Sequence, residues 1–381
     1  MNRPVNISTR IANRFLAHTV NLFRYDASLR RQILKLLRER VERELVAELV
    51  KGDPTVPARG TYREQRVKAL ADVARTVTRA GYRKAAKVHD TSMQALALLE
   101  DEFARTTVNR VIGADLLISP VSDRKLRDIA KAATIDGAPS SHWWAGQAEN
   151  VRKRFELAVR RGMTAGESIG EMVNTVRGES VMGTSLREAE ALVRSSVLSV
   201  TNAARAETFK KNADIIRGVQ VLVTMDSRTS ETCIALGAAN AAWDNDGNPL
   251  PESSWDEPQP PGPPYHWNCR TILVPVVGKF SDVHAEVNGQ KQARLDGVSE
   301  SVADAMDGKL AAVAGFESWL RDKPDAFVDR LIGKTRAGLW RDGKLKLPQL
   351  VDQSLRPLNL QQLKERVRGV TDAAIDEARA A

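Results

Sequence analysis

Two cysteines among 381 residues are too few for a disulfide scaffold, and a lone Cys233–Cys269 bridge is conceivable but disfavoured in a reducing compartment. Aromatic residues make up only 5% of the chain, so its cores must be built from Leu, Val, Ile and Ala. No run of about 18 apolar residues occurs, which excludes a membrane-spanning helix. The opening MNRPVNISTRIANRFLAHTV lacks a signal peptide's apolar stretch and small-residue cleavage site, so synthesis and assembly in a cytoplasm are expected. Catalytic signatures are missing as well. There is no P-loop, no G-x-S-x-G, no G-x-G-x-x-G in a strand–helix setting, no H-E-x-x-H and no zinc-deaminase pattern.

What the chain has is helix-forming sequence and positive charge. Hydrophobic residues reach 42%, charged residues 28%, and the formal net charge is +9. That balance favours anionic partners, though arginines and lysines on helices also serve simply as a solvated face. The length suits two or three domains. In DASLRRQILKLLRERVERELVAELVKG, Ile33, Leu37, Val41 and Leu45 form a stripe widened by Leu34, Leu49 and Val50. Asp26 or Ser28 is the expected N-cap, Gly52 follows the end, and Asp53-Pro54 stops the helix. A second helical run covers about Tyr62 to Arg110, with Val67, Leu70, Val73 and Val77 inward and Gly81 as a kink or break. The two suggest a helical arm or hairpin, or an ordinary bundle.

Further on, IDGAPSSHWWAGQ reads as a loop carrying Trp143 and Trp144, followed by a helix from about Ala145 to Arg161. Ser168 with Glu171, and Ser185 with Glu188, have capping-box spacing. The second box is expected to open a long helix with Leu192, Val193, Val197, Val200 and Ala204 inward. Then the period changes from helical to alternating. Val219, Val221 and Val223 predict a strand with one apolar face, ending at Met225 or Asp226. SRTSETCIALGA predicts a turn and short helix, NAAWDNDGNPLPESSWDEPQPPGPP a long loop, and CRTILVPVV a second strand. The rest is helical, with Trp319 and Trp340 as anchors. The fold class is therefore mainly α with a small α+β module: long N-terminal helices, a two- or few-stranded antiparallel sheet near 217–277, and a helical C-terminal region. Expected boundaries are 1–115 for the helical arm or bundle, 116–280 for the α+β core and 281–381 for the C-terminal helices.

If the strands pair, Cys233 on the short helix meets His266 and Cys269 at the mouth of the second strand. Two thiolates and an imidazole suit Zn2+, and Asp226 is the candidate fourth ligand. The competing reading makes Cys233 and Cys269 small buried hydrophobes. Asn202, Arg205, Glu207, Arg228 and Arg270 are expected to form a structural polar network tying the preceding helix to the sheet.

ARAETFKKN, VTMDSRTSETCIALGA and PPYHWNCRTILVPV together resemble the core of the phage Mu F-like head morphogenesis family, whose pattern is an R-x-E helix, D-x-R-T-x-x-x-C and P-x-H-x-x-C-R-C. GMTAGESIGEMVNTVRG resembles the preceding helix, and residues 315–363 resemble a C-terminal region of longer members. One departure stands out. Thr271 occupies the place of the family's last cysteine, which removes one candidate ligand. The resemblance implies a minor head protein in the virion, inside the head near the portal. It would contact the portal protein and the major capsid protein or scaffold, with packaged DNA met by non-specific electrostatics. Head morphogenesis, DNA packaging or ejection is the expected role, structural and not catalytic. A zinc-dependent hydrolase or nuclease, or a non-specific DNA-binding protein, is the alternative.

Overall fold

The computed structural model describes residues 5–51, 61–117, 119–312 and 315–380. Its frame is set by a few long helices. The first, α1 (Ile7–Leu37), passes through a wide π turn at Arg38–Glu42 into α2 (Arg43–Val50). Its N-cap is Asn6, whose side chain accepts from the Thr9 amide, twenty or more residues before the expected cap. Asp26 is therefore not a cap but a mid-helix carboxylate accepting from Arg30 Nε at 2.9 Å. The helix extends upstream because Ile11, Phe15, Leu22 and Leu29 continue the buried stripe. Ile33, Leu37, Val41 and Leu45 are buried as expected, whereas Val50 is exposed. The expected stop at Gly52 and Asp53-Pro54 lies outside the described residues.

Helix α3 (Thr61–Ile112) runs unbroken past Gly81. That glycine marks a close approach instead of a kink: a Cβ there would sit 2.3 Å from Val41 Cγ2. The small residue lets the long helix lie against the π turn. After α4 (Asp123–Ala132), a tight hairpin joins β1 (Thr134–Ile135) to β2 (Ala138–Pro139). Asp136 and Gly137 both have positive φ, the Asp-Gly signature of a hairpin turn that the loop assignment overlooked. Helix α5 (Ser140–Ala165) then begins before both tryptophans, so Trp143 and Trp144 are helical and not in a loop. Trp144 is buried beside Tyr82 and His89 of α3.

The Ser168–Glu171 capping box opens α6 (Ile169–Arg177) as expected. The second expected box does not form. A π turn at Glu179–Gly183 leads directly into α7 (Thr184–Lys211), so the amide of Ser185 is already inside a helix. Ser185 Oγ instead donates to the Val181 carbonyl at 2.6 Å, and Glu188 accepts from Arg154 Nη1 at 3.1 Å. Leu192, Val193, Val197, Val200 and Ala204 are all buried, because α1, α3 and α5 surround this helix.

One antiparallel sheet follows, in the order β4–β3–β5: β3 (Ile216–Leu222), β4 (Ala242–Asp244) and β5 (Ile272–Val277). Strand β4 arises inside the long loop that the sequence suggested. Strand β3 stops at Leu222, short of the expected Met225, and both of its faces are covered. Gln220 is fully buried there, and its amide exchanges two hydrogen bonds with the backbone of Ala311, at 3.3 and 2.8 Å. The C-terminal part thus closes over the sheet. It packs as short helices α9 to α16, from Phe280–Glu286 to Asp372–Ala380. Trp340 is buried, and Trp319 meets Phe316 and Phe327 at 5.2 and 5.8 Å.

His89 is a buried polar group with no compensation. It is 0% exposed and neither ring nitrogen has a hydrogen-bond partner. Burial pushes its pKa from 6.5 to about 4. The unfolded chain binds the His89 proton at about 6.5 and the folded chain only near 4, so stability rises with pH across that window. Unfolding titrations should show about 3 kcal/mol lost between pH 7 and pH 4 from this residue. His89→Leu should remove that component and leave the protein at least as stable at neutral pH; an unchanged acid slope in the variant would count against this account.

Candidate metal centre

Asp226 to Ser230 form the turn between β3 and α8 (Glu231–Ala238). Ser230 is the N-cap of α8, and its hydroxyl accepts from the Cys233 amide at 3.3 Å. This cap fixes Cys233 in the first helical turn, facing inward and buried. The second half of the site is a turn from His266 to Cys269, closed by a 3.2 Å bond from the Cys269 amide to the His266 carbonyl. Asn268 sits in it at φ +59°, a left-handed position that Asn tolerates. Its amide donates to Ser195 Oγ of α7 at 2.9 Å, and Arg194 Nη1 donates to its side-chain oxygen at 3.0 Å. Trp267 packs edge-on against Trp143 at 5.1 Å. Trp143 Nε1 in turn donates to the Ile135 carbonyl at 3.0 Å, so α5 and the small hairpin brace the turn.

These elements bring Cys233, His266 and Cys269 together: their potential ligand atoms all lie within 4.8 Å of one another. The two Sγ atoms are 3.7 Å apart, and both thiols are free. For two sulfurs bound tetrahedrally at 2.3 Å, the expected separation is about 3.75 Å. Cys233 Sγ lies 3.2 Å from His266 Nε2. His266 Nδ1 is 2.9 Å from the Trp267 carbonyl, which can only accept, so Nδ1 carries the proton and the Nε2 lone pair points at the sulfurs. That backbone acceptor is the orienting contact metal-binding histidines usually have.

The electrostatics separate the two thiols. A hydrogen bond from Cys233, opposed by burial and aided by His266, holds Cys269 well below the ordinary thiol range. Cys233 moves the other way, through its bond to Cys269 and then burial. Burial alone would lower the His266 pKa, but the Cys269 thiolate raises it above the ordinary value. Two sulfurs and an imidazole nitrogen converge here, a donor set suited to a thiophilic cation.

Asp226 is not in this group. Its two oxygens accept from Arg270 Nη1 and Nη2 at 2.5 and 2.6 Å, and its own backbone turn adds a 2.8 Å bond from the Arg228 amide. Chiefly through Arg270, its pKa falls to about 2. The group nearest to the missing cysteine's role is Thr271, whose hydroxyl donates to Cys233 Sγ at 3.1 Å. Ser230 Oγ lies 2.7 Å from His266 Nε2 on another side. The Ser230 contact was not foreseen; position 271 was expected to reach what Cys269 reaches, and Thr271 does so from the segment just before β5.

The remaining polar residues divide. Asn202 joins α7 to β5 by accepting from the Leu273 amide at 2.8 Å and donating to the Thr271 carbonyl at 3.3 Å. Arg205 turns away from the sheet to α3, where Nη2 lies 2.6 Å from Glu100 Oε2. Glu207 faces Lys125 at 3.9 Å, and Arg228 is largely exposed, 3.7 Å from Asp226.

No curated protein and no solved structure matches the chain. A family model does: the model described as Phage Mu protein F like protein matches residues 153–274, from within α5 to within β5. Cys233, His266, Cys269, Asp226 and Arg270 all fall inside that match, while the C-terminal resemblance of 315–363 lies beyond it. Residues 153–274 are therefore similar to the Phage Mu protein F like family, and the three converging donors sit within that segment.

Proposed function

We propose that this is a minor head protein of a tailed phage, acting in head morphogenesis from a position inside the head at the portal vertex. The observation that carries this reading is the family match over residues 153–274. Residues 1–115 would form a helical arm or bundle, 116–280 the core and 281–381 a C-terminal helical region. The portal protein is the main partner, with the major capsid protein or scaffold beside it and DNA met by sequence-independent phosphate contacts. In this reading Cys233, His266 and Cys269 hold a structural Zn2+, with a hydroxyl or water completing four ligands. The ion would staple the turn before β5 to the start of α8.

A catalytic zinc needs an open coordination position and room for substrate. The surface depression lined by Cys233 and His266 has only about 10 Å³ of space, and both thiols are buried. That small volume supports a structural role over the hydrolase alternative.

Quantitative protein analysis of purified heads tests the proposal. A fixed, low copy number and copurification with the portal ring are expected. Absence from mature and precursor heads alike would contradict it.

A further inference from the structure

We infer that the groove between the first turns of α1 and the last turns of α3 is a binding site for the phosphate groups of a nucleic-acid backbone. The groove has a volume of about 520 Å³ and is lined by Arg10, Asn13, Arg14 and His18 of α1 with Thr107 and Arg110 of α3. No carboxylate among the described residues lines it. Among the described residues, Arg10, Arg14 and Arg110 make no ion pair and no side-chain hydrogen bond, and all three are exposed. The grooves along α5 are different. There Arg152 is held between Glu149 and Glu156 at 2.6 and 2.8 Å, so its charge is already answered.

Helical geometry places Arg10 and Arg14 one turn apart, about 6 Å along the axis, on the same wall. Arg110 faces them from the other helix. The floor is rigid: His18 stacks flat on Phe103 with ring centroids 3.7 Å apart, and its Nε2 is 2.9 Å from the buried Glu100. Glu100 is itself paired to buried Arg205, so its charge is neutralised beneath the groove. What the groove offers a ligand is donors on both walls and no competing anion. Guanidinium forks match phosphate oxygens, and contacts to phosphate carry no sequence information, so the site takes backbone of any sequence.

The DNA contact proposed above supplies only the identity of the polymer; the location is argued from the groove. Binding of a short duplex oligonucleotide is to be measured over a range of salt concentrations. The proteins compared are wild type, an Arg10→Gln/Arg14→Gln/Arg110→Gln variant, and an Arg83→Gln/Lys84→Gln/Lys87→Gln control that loses the same charge from an exposed part of α3. The groove variant should lose about 2.7 from the slope of log affinity against log salt, and on the order of 100-fold in affinity at 0.1 M salt. The control should lose far less. Equal losses in both variants would overturn the groove while leaving the DNA contact standing; no binding by wild type would overturn both. Inorganic pyrophosphate is the second probe: if it saturates the groove while the duplex does not compete, the site serves free phosphate and the backbone assignment is wrong.

Discussion

Replacing Arg205 by methionine should destabilise the protein by about 3–5 kcal/mol, more than almost any other single change in the chain. Arg205 is 0% exposed and the Glu100 side chain only 2%. Arg205 Nε donates to Glu100 Oε2 at 2.8 Å, and its guanidinium lies over the rings of Phe15 and Phe103 at 4.8 and 5.3 Å. Burial by itself would raise the Glu100 pKa; the Arg205 charge and His18 override it and keep the carboxylate ionised. Removing the arginine leaves that carboxylate in a low-dielectric site with only His18 as partner, so Glu100 should take up a proton. Its raised folded pKa then makes the variant gain relative stability as pH falls, the reverse of the usual carboxylate behaviour. An Arg205→Met/Glu100→Met double variant should recover most of the loss, because the pair's own attraction barely exceeds its desolvation cost. Denaturant unfolding of wild type, Arg205→Met, Glu100→Met and the double variant measures the coupling. A double variant as unstable as the single one would show that shape, and not charge, is what Arg205 supplies.

Stripping metal from the clip should have the second large effect. A structural ion present at about a thousand times its dissociation constant stabilises the folded chain by about 4 kcal/mol, and a chelator should remove that amount. Cys269→Ser and His266→Gln should each reproduce the loss and abolish its dependence on chelator. Asp226→Asn should leave metal affinity unchanged, since its oxygens are committed to Arg270. Thr271→Cys should tighten binding, because the hydroxyl it replaces already lies 3.1 Å from Cys233 Sγ and a fourth donor would complete a tetrahedron. Unfolding curves with and without chelator, together with metal titrations of the four variants, check the set. Looser binding in Thr271→Cys would mean that position 271 faces the thiol without reaching the ion.

The parts legible in the sequence were those governed by one strong local rule. Ile33, Leu37, Val41 and Leu45 gave the helix stripe, Ser168 and Glu171 the cap, the switch from helical to alternating periodicity located β3, and the apolar run ILVPVV located β5. The pairing of those strands then brings Cys233 to His266 and Cys269, which separation along the chain conceals. Errors fell where tertiary contact decides. Helix α1 begins far upstream because its buried stripe continues past a residue that looked like a cap. Ser185 and Glu188 have the right spacing for a box, but a π turn merges the preceding segment with α7. Arg205 looked like a tie to the sheet, yet Glu100, 105 positions earlier, captures it. Asp226 looked like a ligand because it lies near the cysteines in sequence; the bidentate geometry of Arg270 claims both its oxygens. Strand β4 was hidden in a loop rich in Pro, Gly, Asp and Asn, since three residues are too few to show alternation.

The central claim is that Cys233, His266 and Cys269 form one metal clip that locks the segment matching the phage family model. Elemental analysis of the protein purified without chelator, combined with counting of reactive thiols, addresses it most directly. The account predicts one zinc per chain with both thiols unreactive until the metal is withdrawn. Metal-free protein that unfolds at the same denaturant concentration after incubation with excess zinc, with its thiols as reactive as before, would contradict it.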